Sequence, residues 1–279
     1  MNTGVWTLPS SPFRFTLPVT RIPLRGEGSL RVLHGQTTQA IEGAAPGSLI
    51  ETCCVTPTAR LVALAAVAVL SDGAELLITA GSSAQVHQSL DRVLFPADRV
   101  ELGQPEELLW HGLVDAENEA GGAGWSLPGQ HWLLPPGSEL PAALQAAVEL
   151  SAEQIEQVRI HQGIPAPGAE LSDDFNPFEL GLRHRVSLEK GCYLGQETLA
   201  KLHSRDGLKQ QLRRFLVPEG AAPPEPAQQL RMDTGERAAV VTSVSGNRGL
   251  LLLHRRAWDQ SEIAGLQLSL PAAAEFESH

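Results

Sequence analysis

The run Leu61–Leu70 is ten consecutive apolar residues, closed by Ser71-Asp72-Gly73 and followed by Glu75–Thr79. Ten residues are too few to cross a bilayer as a helix, so the run reads as a strand buried on both faces. An Asp-Gly turn between two apolar stretches predicts a hairpin. A second strand is expected over 48–56, ahead of it. Such a sheet needs cover, and two helical patterns supply it. Ser29–Ala40 carries Leu30, Leu33 and Thr37 at helical spacing behind a serine. Ser82–Phe95 places Val86, Leu90, Val93 and Leu94 on one face, with Pro96 as the stop. A further short strand is expected over Asp98–Leu102. Strands and helices in this mixture imply an α+β or α/β core.

Residues 1–20 are rich in Pro, Ser and Thr and are expected to form an irregular lead-in. Residues 121–141, crowded with Gly and Pro, are expected to be loop. Ser151-x-x-Gln154 is a capping box that opens a helix carrying Ile155 and Val158 and ending at Gly163. The stretch 218–229 cannot hold regular structure. Beyond it, Arg237–Val244 and Gly249–His254 flank the turn Ser245-Gly246-Asn247-Arg248. The last third is thus mostly strand, and a C-terminal subdomain is expected from about residue 206.

At 279 residues the chain can bury a sizeable core. A formal charge of −11 argues against a general nucleic-acid binder, which needs clustered cations. Basic residues do gather locally at Lys201, His203, Arg205, Lys209, Arg213 and Arg214. They read as a solvated face, or as a patch for an acidic group. The three cysteines, Cys53, Cys54 and Cys192, form no disulfide framework and no zinc spacing. Neighbours on a strand point to opposite faces, so Cys53 and Cys54 are not expected to share a metal. Met1–Thr20 shows no basic and apolar signal pattern. A reducing, cytoplasmic location away from membranes is therefore expected.

The chemistry concentrates in Lys190-Gly191-Cys192-Tyr193-Leu194-Gly195-Gln196-Glu197. Gly191 and Gly195 permit tight turns and close approach. Gly195 suits a helix N-cap, Gln196 and Glu197 suit a first turn, and Glu197 stands four residues before Lys201. Cys192 would then lie near the positive end of a helix with Lys190 close by, and both favour the reactive thiolate. Arg60 follows a Pro-Thr-Ala turn, where it either pairs bidentately with a ligand carboxylate or caps the turn. Glu179 follows Asn176-Pro177-Phe178 and is either a surface acid or an acceptor for a pterin-like amidine edge.

The octet resembles the signature of the YgfZ-type folate-binding proteins, relatives of the T-protein (aminomethyltransferase) of the glycine cleavage system that support iron–sulfur enzymes. Arg159-Ile160-His161-Gln162-Gly163-Ile164-Pro165, Glu170 and Asn176–Leu182 are similar to the segment leading into that signature. Leu33–Gln39 is similar to its N-terminal "LxGQxT" element, and Ala239–Ser243 to a strand of its terminal barrel. The resemblance implies an α+β, T-protein-like folate-binding core over 1–205 and a small C-terminal β-barrel over 206–279. It implies tetrahydrofolate or another reduced folate as cofactor. Cys192 is implied as the reactive residue, and Arg60, Glu179, Lys190, Gly191, Tyr193, Gly195, Gln196 and Glu197 as folate-binding residues. Iron–sulfur proteins or their assembly factors are the implied partners, and tRNA modification is reached only through them. The aminomethyltransferases carry a catalytic aspartate near the positions of Ala63 and Leu64. No acid occurs in Leu61–Leu70. Aminomethyl or one-carbon transfer is thus the weaker alternative.

Overall fold

The structure, a computed structural model, describes residues 12–114, 130–205 and 207–276. Its elements in chain order are β1 (Phe13–Arg25), α1 (Ser29–Gln36), β2 (Leu49–Val55), β3 (Leu61–Leu70), β4 (Gly73–Gly81), α2 (Ser83–Val93), β5 (Glu101–Leu102) and β6 (Glu106–Val114). After the undescribed 115–129 come β7 (Gln130–Leu134), α3 (Ala142–Ala146), β8 (Val148–Glu149), α4 (Ala152–Gln162) and α5 (Gln196–Ser204). The C-terminal part holds β9 (Gln210–Leu216), β10 (Gln229–Arg231), β11 (Arg237–Ser245), β12 (Arg248–His254), β13 (Glu262–Ile263) and β14 (Leu266–Ser269).

The expected hairpin is β3–β4, paired antiparallel from Leu70↔Gly73. It sits inside an eight-stranded sheet ordered β2-β3-β4-β1-β6-β7, with β5 and β8 paired to β1. Cys53 and Cys54 fall in different core clusters, as strand alternation requires. Both are fully desolvated, which pushes each thiol up to about 12. On one face of the sheet, Leu33 of α1 and Val86 and Leu90 of α2 pack on Ala63, Ala65, Val67, Leu76 and Ile78. Ser82 caps α2 through Gln85 N, and the Ser151–Gln154 capping box opens α4, which ends on Gly163 with φ of 78°.

Two loop expectations are overturned. The lead-in contains β1, thirteen residues long and central in the sheet. Phe13, Phe15 and Val19 are buried on one face of it and Ile22 and Leu24 on the other, in different core clusters. Pro18 and Pro23 tilt a propensity reading toward loop, but this strand tolerates them without a full ladder. The expected loop 121–141 contains β7 and the whole 135–141 connection. Its residues 121–129 lie outside the described part. The predicted helix Ser29–Ala40 stops at Gln36, where Thr37 turns extended (φ −125°, ψ 171°) while its amide and hydroxyl still bond to Leu33 O. The strand expected over Asp98–Leu102 shrinks to Glu101–Leu102.

From β9 onward the chain forms a six-stranded antiparallel, nearly closed barrel ordered β10-β11-β12-β9-β14-β13. Phe215, Leu230, Val241, Leu251, Leu253 and Ile263 fill it. Its outer residues Leu212, Leu250 and Leu252 pack on Leu61, Leu64, Ile160 and Leu180. The tail then returns to the core: Ala272 N and Ala273 N bond to His161 O and Gln162 O, and Glu275 N to Gly181 O.

Candidate functional site

The signature octet is fastened to the end of α1. Leu194 N donates to Gly35 O at 3.0 Å and Ser187 N to Thr38 O at 2.9 Å. The Thr38 hydroxyl donates to Arg185 O at 2.7 Å, and Gln39 Nε2 to His184 O at 2.8 Å. Lys190 is buried, and its ammonium donates to the carbonyls of His34, Thr37 (2.7 Å) and Gln39 (2.8 Å). The Tyr193 ring lies 4.4 Å from the same nitrogen. The first two carbonyls belong to the last turn and C-cap of α1, where cations are favoured. Burial pushes Lys190 down to about 7. Sequence reasoning gave this lysine to the thiol or the ligand, whereas its three donors go to backbone.

Gly195 has φ of 82°, and a Cβ there would meet Thr56 O and Val55 Cγ2 at 3.0 Å. The αL conformation and the close approach to the β2–β3 turn together require glycine. α5 starts at the next residue, as predicted. Tyr193 packs with Ala59, Phe178, Val186 and Leu199, and Gln196 Nε2 reaches Lys190 O at 3.4 Å. Cys192 is exposed, and nothing approaches the position a Gly191 Cβ would take. Glu197 is fully exposed and pairs with Lys201 at 2.5 Å, which holds its carboxyl below the usual range.

Arg60 and Glu179 lie on the flank of this assembly. Arg60 Nη1 donates to Asp174 O at 2.5 Å. Asn176 Oδ1 accepts from Phe178 N and Glu179 N, and the Glu179 carboxylate accepts from Asn176 N. Burial raises the Glu179 carboxyl, against the pull of Asn176 N, Arg60, Gln210 and Lys209. Phe178 and Tyr193 share the cluster around Ala59. The sequence-selected residues are thus brought to one end of the sheet, around the β2–β3 turn.

None of them lines the cleft of about 400 Å³ that opens on the far side of β4. Its walls are Leu17–Thr20 of β1, Ile78–Gly81 of β4, Ile155, Glu156 and Arg159 of α4, and Ile164–Pro167, with Glu107 at the rim. The Thr20 hydroxyl donates to Glu107 at 2.9 Å. Arg159 grips Glu156 through Nε (2.8 Å) and Nη2 (2.6 Å) and reaches Ile164 O, Glu170 and Ser243. Glu170 is wholly buried and accepts from Thr242, Ser243 and Ala166 N as well. This network ties α4, the lip of the cleft and β11 together. Sequence reasoning assigned no role to Arg159 or Glu170, although both belong to the segment on which the resemblance rests. The positions where an aminomethyltransferase would carry its aspartate, Ala63 and Leu64, are 0% and 1% exposed and apolar.

No family model matches the chain. A chloroplastic protein of Arabidopsis thaliana, At1g60990, described as a candidate transferase, is 30% identical over 264 aligned residues, covering 82% of this chain and 60% of that protein. The tRNA-modifying protein YgfZ of Cronobacter sakazakii is 30% identical over 122 residues, covering 41% of this chain and 37% of YgfZ. The chain thus spans less than two thirds of each of these relatives. The crystal structure of the glycine cleavage system aminomethyltransferase T from Bartonella henselae superposes with a TM-score of 0.73 at 16% identity, over 96% of this chain and 89% of that one.

Proposed function

We propose that this chain, a YgfZ-type protein built on the aminomethyltransferase fold, binds a reduced folate, with tetrahydrofolate as the expected form. The observation that carries this reading is the cleft between β1, β4 and α4. About 400 Å³ lies within the range of small-ligand sites, which are mostly apolar with a few fixed polar groups. Leu17, Val19, Ile78, Ile155 and Ile164 offer apolar walls to a flat pteridine. Glu107 and Glu156 supply acceptors, and Arg159 is held rigidly beside them.

The role that follows is support of iron–sulfur enzymes in the cytoplasm, through contact with those enzymes or their assembly factors, and tRNA modification as a downstream effect. Direct nucleic-acid binding fits poorly with a charge of −11. Among the described residues, no helix is long and apolar enough to cross a membrane. One-carbon transfer is the second reading, favoured by the description of the plant relative. Against it stands the absence of an acid at Ala63 and Leu64, where transfer chemistry would need a charge.

Tetrahydrofolate titrated against the full chain tests the first reading. A ligand that binds only the native state raises the melting temperature with concentration. Ala80→Trp, which fills the cleft, is expected to abolish the shift, while Arg60→Ala and Glu179→Gln, outside its lining, are expected to leave it in place. Loss of the shift in those two alone would move the site to the signature flank, and no shift in the parent protein would end the folate reading. Turnover of an aminomethylated lipoyl carrier by the purified chain would replace it with the transferase reading.

A further inference from the structure

Lys190 is a buried cation with no carboxylate partner among the described residues. Burying a charge costs free energy unless its donors are satisfied. Here the three N–H groups of the ammonium meet three carbonyl oxygens, those of His34, Thr37 and Gln39, and the Tyr193 ring face lies 4.4 Å away. The carbonyls are those of His34 in the last turn of α1, of its C-cap Thr37 and of Gln39 three residues beyond its end, so the negative end of the helix faces the ammonium. The cage therefore resembles a coordination site for a monovalent cation, filled from within the chain. Its opposite wall is the signature and the segment before it: the Leu194 amide of the signature and the preceding Ser187 amide bond to the same stretch at Gly35 O and Thr38 O.

We propose that Lys190 is a tethered cation that positions the signature loop on the end of α1 and so fixes where Cys192 is presented. Lys190 acts here as a positioning residue, and the inference holds whether or not the cleft takes folate. Its geometry explains why lysine is used. A compact ammonium with three divergent donors can satisfy three converging carbonyls, whereas the planar fork of arginine suits two parallel acceptors. It also explains the spacing. Cys192 stands two residues beyond the anchor and Gly195 five, so the exposed thiol lies on a short span pinned at both ends. Burial lowers the Lys190 ammonium to about 7, and hydrogen bonds from the charged form are what keep it there as a cation.

The test uses a nitroxide attached to Cys192 in the full chain, since Cys53 and Cys54 are buried and remain unlabelled. The parent protein is expected to give an immobilised spectrum. Lys190→Met and Lys190→Ala are expected to give a mobile one, and Leu194 amide exchange should speed up by about tenfold, as the loss of a charged hydrogen bond implies. Adding n-propylammonium to Lys190→Ala should restore the immobilised spectrum, and n-propanol should not. A lysine that merely stabilises the fold would lower the melting temperature in both variants and leave the label immobile. That outcome, or equal restoration by propanol, overturns the proposal. Should Lys190→Ala not fold, refolding promoted by propylammonium over propanol supports it, and equal yields with either reagent overturn it.

Discussion

Cys192 and Glu170 show how differently single residues serve this chain. Cys192 is exposed, while Cys53 and Cys54 are sealed in the sheet with thiols pushed up to about 12. The thiolate is the reacting species, so iodoacetamide at pH 8 should modify Cys192 alone in the native protein. Labelling of all three at equal rates would mean that the sheet opens on the same timescale. Cys192→Ser should leave the melting temperature unchanged and impair support of iron–sulfur enzymes in cells; full restoration by that variant would leave the signature only its structural work. Glu170 is the opposite case. It is 0% exposed and takes donors from Arg159, Thr242, Ser243 and Ala166 N, so its removal strips the clamp between α4 and the barrel. Breaking a buried charge network of this kind typically costs about 3–5 kcal/mol. Glu170→Ala should lose about that much in urea unfolding, and a loss below ~1 kcal/mol would show that Glu156 alone satisfies Arg159.

Among the elements, α5 depends on one backbone conformation. Gly195 begins it with φ of 82°, and a Cβ there would press on Thr56 O and Val55 Cγ2 at 3.0 Å. Gly195→Ala should therefore cost more than the ~1 kcal/mol usual for alanine at positive φ, because the β2–β3 turn must also move. Thermal unfolding would show it, and a neutral result would mean the turn yields freely. Glycine at this position was legible in the sequence, as were the β3–β4 hairpin and the boxed α4, because each rests on residues adjacent in the chain. β1 was not, since Pro18 and Pro23 disguise an alternation that only its neighbours β4 and β6 make decisive. The cleft was not either. Its walls come from β1, β4, α4 and the 164–167 loop, and no local pattern announces their convergence. The destination of the Lys190 ammonium, more than 150 residues upstream in the chain, was hidden for the same reason.

For the whole molecule, burial acts on the histidines in one direction. His34, His111, His131, His161, His184 and His254 are all held below the usual imidazole value, in each case chiefly by desolvation, and His184 falls to about 4. His184 Nδ1 is buried without a hydrogen-bond partner among the described residues, and Arg185 beside it adds repulsion. A group that binds its proton more weakly when folded stabilises the fold above its unfolded pKa. That contribution disappears as pH falls through the unfolded value toward the folded one. For His184 the window runs from 6.5 down to about 4. Glu179 works the other way. Its carboxyl is raised, so its contribution is present below the ordinary carboxyl value of 4.5 and lost as pH rises through the folded one, which offsets part of the histidine slope. Lys190 is silent in this window, because both its folded value of about 7 and its unfolded value of 10.5 lie above it. The protein should therefore lose stability steadily from pH 6.5 to pH 4. Replacing His184 with glutamine, which cannot take up a proton, should remove on the order of 1–3 kcal/mol of that loss. Urea midpoints at half-unit pH intervals would read the effect. A parent profile flat across this range, or a His184→Gln profile parallel to it, would mean that the imidazole is solvated and the packing around Leu182 and Arg185 looser than the structure has it.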